Sequence, residues 1–144
     1  PFFTENIASR LKTPLKNAAK NDVEIHIVTR YLTYTENEKN KNFVRTIFED
    51  EDIRQQTKLF EYKEWEKFGS TFHAKIMLSE RSSGRDECYM GTANLTRTGL
   101  ERNLEVGMIF RDENVTKISN LITSLMSSSL VNEVTYDEEK FRRY

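Results

Sequence analysis

The stretch FHAKIMLSERSSGRDECYMGTANLTRTGLERNLE, residues 72–105, carries the strongest signals for the fold of this chain. It contains three short motifs, F-H-A-K, M-G-T-A-N-L-T and N-L-E-V-G, the last of which ends just beyond it. Each motif adjoins an apolar run typical of a β-strand, and a charged connection separates the first two. This spacing permits the three motifs to meet in one cleft but does not require it.

The residue types in these motifs predict a phosphate site. In an extended strand, residues two apart face the same way, so His73 and Lys75 can project together. Histidine can act as a nucleophile or an acid and base near neutral pH, and lysine is a compact cation for a phosphate oxygen. Asn94 adds an amide donor, and Gly91 lets the backbone approach closely. A carboxylate such as Glu105 can hold one ring nitrogen of the histidine.

These motifs resemble the signature of the phospholipase D superfamily, which is H-x-K-x4-D followed by G-[ST]-x-N. The resemblance covers Phe72–Arg111 directly, and the order of the flanking elements also fits. It implies an α/β fold, the phospholipase D-like α-β-α sandwich with a mixed β-sheet. One residue departs from the signature, because Glu80 stands where the family has Asp, and its role is therefore uncertain.

The resemblance also implies a set of site residues. Four would be catalytic: His73, Lys75, Asn94 and Glu105. Thr92 and Thr96 would bind substrate. Arg30 ends an earlier strand-like run, at the strand end where α/β sheets place ligands, so it either contacts phosphate or is an ordinary loop residue.

The family mechanism needs two facing H-x-K motifs, and this chain has one. One histidine attacks phosphorus and becomes phosphohistidine, while the other protonates the leaving oxygen and then activates water. The expectation is therefore a homodimer with one shared active site, or a second phospholipase D-like half in a longer polypeptide. No metal and no other cofactor is implied, since the lysine and asparagine pairs would stabilise the developing charge.

The substrate is inferred from the same resemblance. The phrase G-T-A-N-L-T-R-T-G-L-E-R-N-L-E is similar to bacterial phospholipase D-like nucleases, including restriction-type enzymes, so a DNA endonuclease is expected. Two alternatives stay open. The chain could act on lipid or other small phosphodiesters, or it could be a non-catalytic module for dimerisation or nucleic-acid binding in a larger protein.

Composition sets wider bounds on function. The chain has 144 residues, 37% of them hydrophobic, and a net charge of −1, which argues against a strongly basic nucleic-acid-binding module. It contains no apolar run near the length of a membrane span. The single cysteine, Cys88, gives no disulfide framework, so we expect a buried small hydrophobe, a reducing compartment and a cytoplasmic protein.

Periodicity predicts the order helix, strand, helix, four strands and helix. The first helix has Thr4 as its N-cap and a possible kink or restart at Pro14, and later helices start near Thr35 and after an N-cap at Asn114. The predicted strands are Val23–Thr29, Thr57–Tyr62, Phe72–Leu78, Cys88–Met90 and Leu104–Phe110.

The chain opens at Pro1 on what resembles the end of the family's first strand, so that strand is expected to be missing. Residues 1–130 are predicted to form a single domain. Residues 131–144 are predicted to be a polar tail, with a possible short edge strand, or the start of a linker.

Overall fold

Helices and strands are distributed along the whole of the described chain. The computed structural model describes residues 5–30, 32, 38–63, 73–81, 86–94, 96, 99, 101–111 and 113–141, and for residues 5, 6, 30, 38, 39 and 140 the backbone alone. The helices are α1 (Glu5–Lys20), α2 (Glu38–Phe48), α3 (Glu51–Gln56), α4 (Glu113–Met126) and α5 (Glu138–Phe141). The strands are β1 (Ile25–Arg30), β2 (Thr57–Tyr62), β3 (Ile76–Ser79), β4 (Glu87–Gly91), β5 (Gly107–Arg111) and β6 (Val131–Glu133).

The main core lies between the first three helices and the pair β1 and β2. One face of α1 carries Ile7, Leu11 and Leu15 at helical spacing, and this face packs inward as predicted. The helix continues through Pro14 rather than restarting there, so the predicted restart is wrong. The core cluster consists of Ala8, Ala19, Ile25, Leu32, Phe43, Val44, Ile47, Phe48, Ile53, Leu59 and Phe141.

The first sheet is mixed and has the order β1-β2-β6. Strands β1 and β2 are parallel, with Ile25 opposite Thr57, because α2 and α3 form the crossover that parallel strands require. Strand β6 pairs antiparallel with β2, and its first residue, Val131, is buried. The end of the chain therefore contains the short strand that the sequence allowed, followed by α5, whose Phe141 enters the core.

The second sheet is an antiparallel meander with the order β3-β4-β5. Ile76 lies opposite Met90, and Gly91 lies opposite Gly107. Strands β3 and β4 are antiparallel and consecutive, and in the charged segment between them the amide of Arg81 donates to Oδ1 of Asp86 at 2.8 Å. Helix α4 packs against β4, β5 and β6 and so contacts both sheets. The predicted α/β fold with a mixed sheet is confirmed.

Several element boundaries differ from the predictions. Strand β3 begins at Ile76, so His73 and Lys75 precede the strand rather than lie within it. Its residues alternate between half-buried and exposed, and it is an edge strand among the described residues, although its apolar run has the character of a central strand. Strand β5 begins after Glu105, and α4 begins at Glu113, which places Asn114 inside the helix rather than at its cap.

Three further expectations lie outside the described residues: the N-cap at Thr4, the helix start near Thr35 and the strand start at Phe72. The first strand expected before Pro1 also stays a prediction.

Candidate active site

The backbone around Lys75 fixes where the H-x-K motif stands. The amide of Gly91 donates to the carbonyl oxygen of Lys75 at 3.1 Å, so antiparallel pairing continues one residue beyond β3. Residues that oppose each other in an antiparallel pair project to the same face. Lys75, Gly91 and Gly107 therefore form one cross-strand row at the end of the second sheet. Two of its three members are glycines, so Lys75 is the only residue of this row with a side chain.

The side chains of Lys75 and His73 are in contact. Nζ of Lys75 lies 3.0 Å from Nδ1 and 2.9 Å from Nε2 of the ring, and it donates to the carbonyl oxygen of His73 at 2.9 Å. A donor equally close to both ring nitrogens cannot lie on the lone-pair axis of either one. The ammonium group therefore packs against the imidazole ring. The two side chains therefore lie together, as their spacing of two in the sequence permits, and their place in one cleft stays a prediction.

Glu105 is held by two neutral donors. The hydroxyl of Thr92 donates to Oε2 at 2.5 Å, and Nδ2 of Asn103 donates to Oε1 at 3.2 Å. Thr92 is itself fixed to Val106, because its amide donates to the Val106 carbonyl at 2.9 Å and its hydroxyl accepts from the Val106 amide at 3.1 Å. The turn after β4 and the approach to β5 thus hold the carboxylate in place. Direct support of the His73 ring by Glu105 stays a prediction.

Electrostatics link the two halves of the site. Hydrogen bonds from Thr92, which has the largest effect, and from Asn103 hold the pKa of Glu105 below its ordinary value. Desolvation opposes them, and the charge of Lys75 adds the smallest lowering. Desolvation lowers the pKa of Lys75, and the charge of Glu105 partly offsets this. Because each group affects the other, Lys75 and Glu105 lie within electrostatic range. The residues before β3 and before β5 therefore belong to one charged site.

The segment after Gly91 places Asn94. The amide of Thr96 donates to the carbonyl oxygen of Asn94 at 2.7 Å, and the hydroxyl of Thr96 accepts from the amide of Gly99 at 3.0 Å. A Cβ at Gly99 would lie 2.6 Å from the Asn94 carbonyl oxygen, so only glycine fits there without a shift. Ala93 is buried beneath this turn. Thr96 thus has a structural contact, and its role in substrate binding stays a prediction.

Two predicted residues stand apart from this group. Glu80 is exposed and follows β3 at the end opposite to Lys75, roughly 16 Å along an extended chain. Arg30 ends β1 in the other sheet, and its side chain lies outside the described residues. Conversely, the motifs assign Asn103 no role, although its spacing of two from Glu105 permits the contact between their side chains.

Two wider features of the chain bear on the class of site. Within the described ranges, no helix is both long enough and apolar enough to cross a membrane. In the same ranges, no three His, Cys, Asp or Glu side chains cluster in a way that could hold a metal ion. The expectation that catalysis needs no metal stays a prediction.

Comparison with known proteins agrees with this geometry. A family model described as the PLD-like domain of cardiolipin synthase matches residues 2–126, which is most of the chain and includes every candidate site residue. No curated protein shows a significant match. The chain belongs to the phospholipase D superfamily as a PLD-like domain, which supports phosphodiester hydrolysis as its general activity.

Proposed function

We propose that the chain is a metal-independent phosphodiesterase, and specifically a cytoplasmic DNA endonuclease whose active site is shared by two copies. The observation that carries the proposal is the contact of Lys75 with the His73 ring, with Glu105 in electrostatic range of the lysine. A nucleophile, a cation for phosphate oxygens and a carboxylate then stand at adjoining strand ends.

The proposed reaction proceeds in two displacements. A ring nitrogen of His73 attacks phosphorus, the bond from phosphorus to the leaving oxygen breaks, and that oxygen takes a proton from the partner's His73. The partner's His73, now neutral, takes a proton from water, and the water oxygen attacks phosphorus and breaks the N–P bond. Lys75 and Asn94 stabilise the negative charge on the phosphoryl oxygens in both steps.

The position of Lys75 suits the first displacement. Its ammonium packs against the His73 ring, and a second positive charge on the ring would be repelled at that distance. A neutral ring nitrogen is the form that can attack phosphorus. The histidine that protonates the leaving oxygen must instead be protonated and positively charged. The two histidines of the shared site must therefore differ in charge when substrate is bound.

An exposed apolar row supports the symmetric dimer. Met77, Tyr89 and Ile109 oppose one another across three strands, on the same face as Lys75 and one row further from His73. Met77 is 53% exposed and Ile109 is 60% exposed, and they flank Tyr89 on the two strands beside β4, so the row is an exposed apolar patch. A second copy packed on this face would cover the row and bring a second His73 towards the first.

The choice of DNA rests on the resemblance of residues 91–105 to phospholipase D-like nucleases. One observation favours a second candidate, hydrolysis or transfer of a lipid phosphodiester, because the matching family model is named after cardiolipin synthase. Both candidates use the same phosphate chemistry, so they differ in the groups attached to the phosphate. The non-catalytic alternative predicts no turnover of either substrate.

A cleavage assay in excess EDTA tests the proposal. Supercoiled plasmid, bis(4-nitrophenyl) phosphate and phosphatidylglycerol vesicles would be incubated with the wild-type chain, His73→Ala and His26→Ala. His26 is the matched control, because it is the other histidine of the chain and contacts Glu24 and Phe60 in the first sheet. We expect the wild-type and His26→Ala chains to nick plasmid as dimers, and His73→Ala to lose at least 10²-fold in rate.

The remaining outcomes separate the alternatives. Turnover of the vesicles but not of plasmid would replace DNA by a lipid diester. A folded dimer without turnover of any substrate would indicate a binding module. Full activity of purified His73→Ala would refute the catalytic role of His73.

A further inference from the structure

The side chain of Tyr89 lies along the sheet rather than standing off it. A Cβ built on Gly91 would lie 2.2 Å from the Tyr89 hydroxyl oxygen, and one built on Gly107 would lie 2.6 Å from the same atom. The phenol oxygen is therefore directly over the pair formed by Gly91 and Gly107. Tyr89 fills the space that these two glycines leave.

The direction of this side chain points its hydroxyl at the candidate site. Tyr89 belongs to the row of Met77 and Ile109, and the ring crosses into the next row, which contains Lys75. Neighbouring positions in such a row are about 5 Å apart, so the hydroxyl, which lies between the two glycines, stands roughly 7 Å from the base of the Lys75 side chain. It lies on the face from which Lys75 projects.

The hydroxyl has no hydrogen-bond partner among the described residues. A phenylalanine at this position would cover the two glycines equally well, so packing alone does not account for the oxygen atom. A protonated phenol is a good donor to an anionic oxygen, and the nearby ammonium of Lys75 attracts such an anion.

We propose that Tyr89 is a further substrate-binding residue, whose phenol O–H donates to an oxygen of the phosphodiester bound at His73 and Lys75. This inference rests on the proposed function of the same site. In the shared site of a dimer, one such hydroxyl would enter the cleft from each copy. The role is binding and orientation of the phosphate group, and no proton is transferred in it.

The test compares Tyr89→Phe with the wild-type chain in two measurements. The first is binding of inorganic phosphate followed by calorimetry, and the second is kcat/KM for bis(4-nitrophenyl) phosphate. A hydrogen bond to a charged group contributes about 1.5–3 kcal/mol, so we expect phosphate binding to weaken by roughly tenfold or more. Tyr136→Phe is the matched control, because that phenol packs between Phe48 and Phe141 in the main core.

The outcomes distinguish this inference from the proposal beneath it. If the wild-type chain binds phosphate and His73→Ala abolishes turnover, but Tyr89→Phe matches wild type in both measurements, the role of Tyr89 alone is refuted. If the wild-type chain neither binds phosphate nor turns over a diester, the proposed function and this inference both fail. Weaker phosphate binding in Tyr89→Phe, with Tyr136→Phe unchanged, supports the assignment.

Discussion

Replacing Gly107 by alanine should destabilise the protein only while the Tyr89 ring is present. The three atoms nearest to the new Cβ, at 2.4–2.7 Å, would be two ring carbons and the hydroxyl oxygen of Tyr89. At Gly91 the nearest atoms are the hydroxyl oxygen and one ring carbon of Tyr89, at 2.2 and 2.6 Å, and the carbonyl oxygen of Val106 at 3.0 Å. Tyr89 therefore supplies all three of the closest contacts to a Cβ at Gly107, but only two of the three at Gly91.

The magnitude follows from two opposing effects. Overpacking costs about 1–3 kcal/mol, and replacing glycine by alanine recovers about 0.4–1 kcal/mol by restricting the unfolded chain. Gly107→Ala should therefore lower the free energy of unfolding by roughly 0.5–2 kcal/mol. In a Tyr89→Ala background the same substitution should become neutral or stabilising. Gly91→Ala should stay destabilising there, because the backbone oxygen of Val106 remains.

Urea unfolding of the four proteins in each double-mutant cycle would measure these coupling energies. Residues in contact show coupling of about 0.5–3 kcal/mol, which is well above the error of such a cycle. An equal loss of stability on Gly107→Ala with and without the Tyr89 ring would refute the placement of that ring, and with it the proposed role of its hydroxyl.

Three further predictions concern other contacts. Thr92→Val removes the main hydrogen-bond donor to Glu105, so the pKa of that carboxyl should rise. The acidic side of the pH–rate profile for cleavage should then move to higher pH, and an unchanged profile would contradict the contact. Asp50→Ala removes the N-cap of α3 and should lower the free energy of unfolding by about 1 kcal/mol, measured by urea unfolding. Asp50→Asn should keep most of that stability, because asparagine is also a good N-cap. Lys16 lowers the pKa of Asp50, so the ionised carboxylate stabilises the fold at pH values above the pKa that Asp50 has in the unfolded chain. The difference in unfolding free energy between wild type and Asp50→Ala should therefore shrink as the pH falls through the folded-state pKa. Cys88 is buried with a raised pKa, so a disulfide reagent should label it only on unfolding; rapid labelling of the native protein would place it at the surface.

Patterns within short stretches of the sequence predicted the buried face of one helix and the ends of one strand. The helical spacing of Ile7, Leu11 and Leu15 identified the buried face of α1, and the run Thr57–Tyr62 gave β2 with its observed ends. Both depend on residues near one another in the chain. Asn21 and Asp22 are residue types that favour turns, and Asp22 has a positive φ of 56°.

The boundaries around the site could not be predicted in the same way. The run from Phe72 is apolar enough to suggest a longer strand, but β3 begins where β4, which ends at Gly91, can pair with it. Strand pairing depends on residues distant in sequence, and for the same reason the periodicity did not show that the strands form two sheets. Asn40 and Thr29 are buried and joined by a hydrogen bond from Nδ2 to Oγ1 at 3.1 Å, which the hydrophobic pattern of the sequence did not predict either.

The residue types of the site were predictable, and their contacts were not. The motifs named His73, Lys75 and Glu105 as one group, and the structure connects them through contact and charge. That Thr92 and Asn103 would be the donors to Glu105 depends on the turn after β4 and could not be derived from spacing. The position of Tyr89 over two glycines needed the register of three strands.

The central claim is that a ring nitrogen of His73 forms a covalent bond to phosphorus. The most direct test is to quench the wild-type chain in alkali during turnover of bis(4-nitrophenyl) phosphate, and to identify modified peptides by mass spectrometry. We predict an acid-labile 4-nitrophenyl phosphoramidate, joined through the N–P bond to the peptide containing His73, present in His26→Ala and absent in His73→Ala. Sustained turnover with no modification of His73 at any quench time, and with undiminished activity in His73→Ala, would contradict the account.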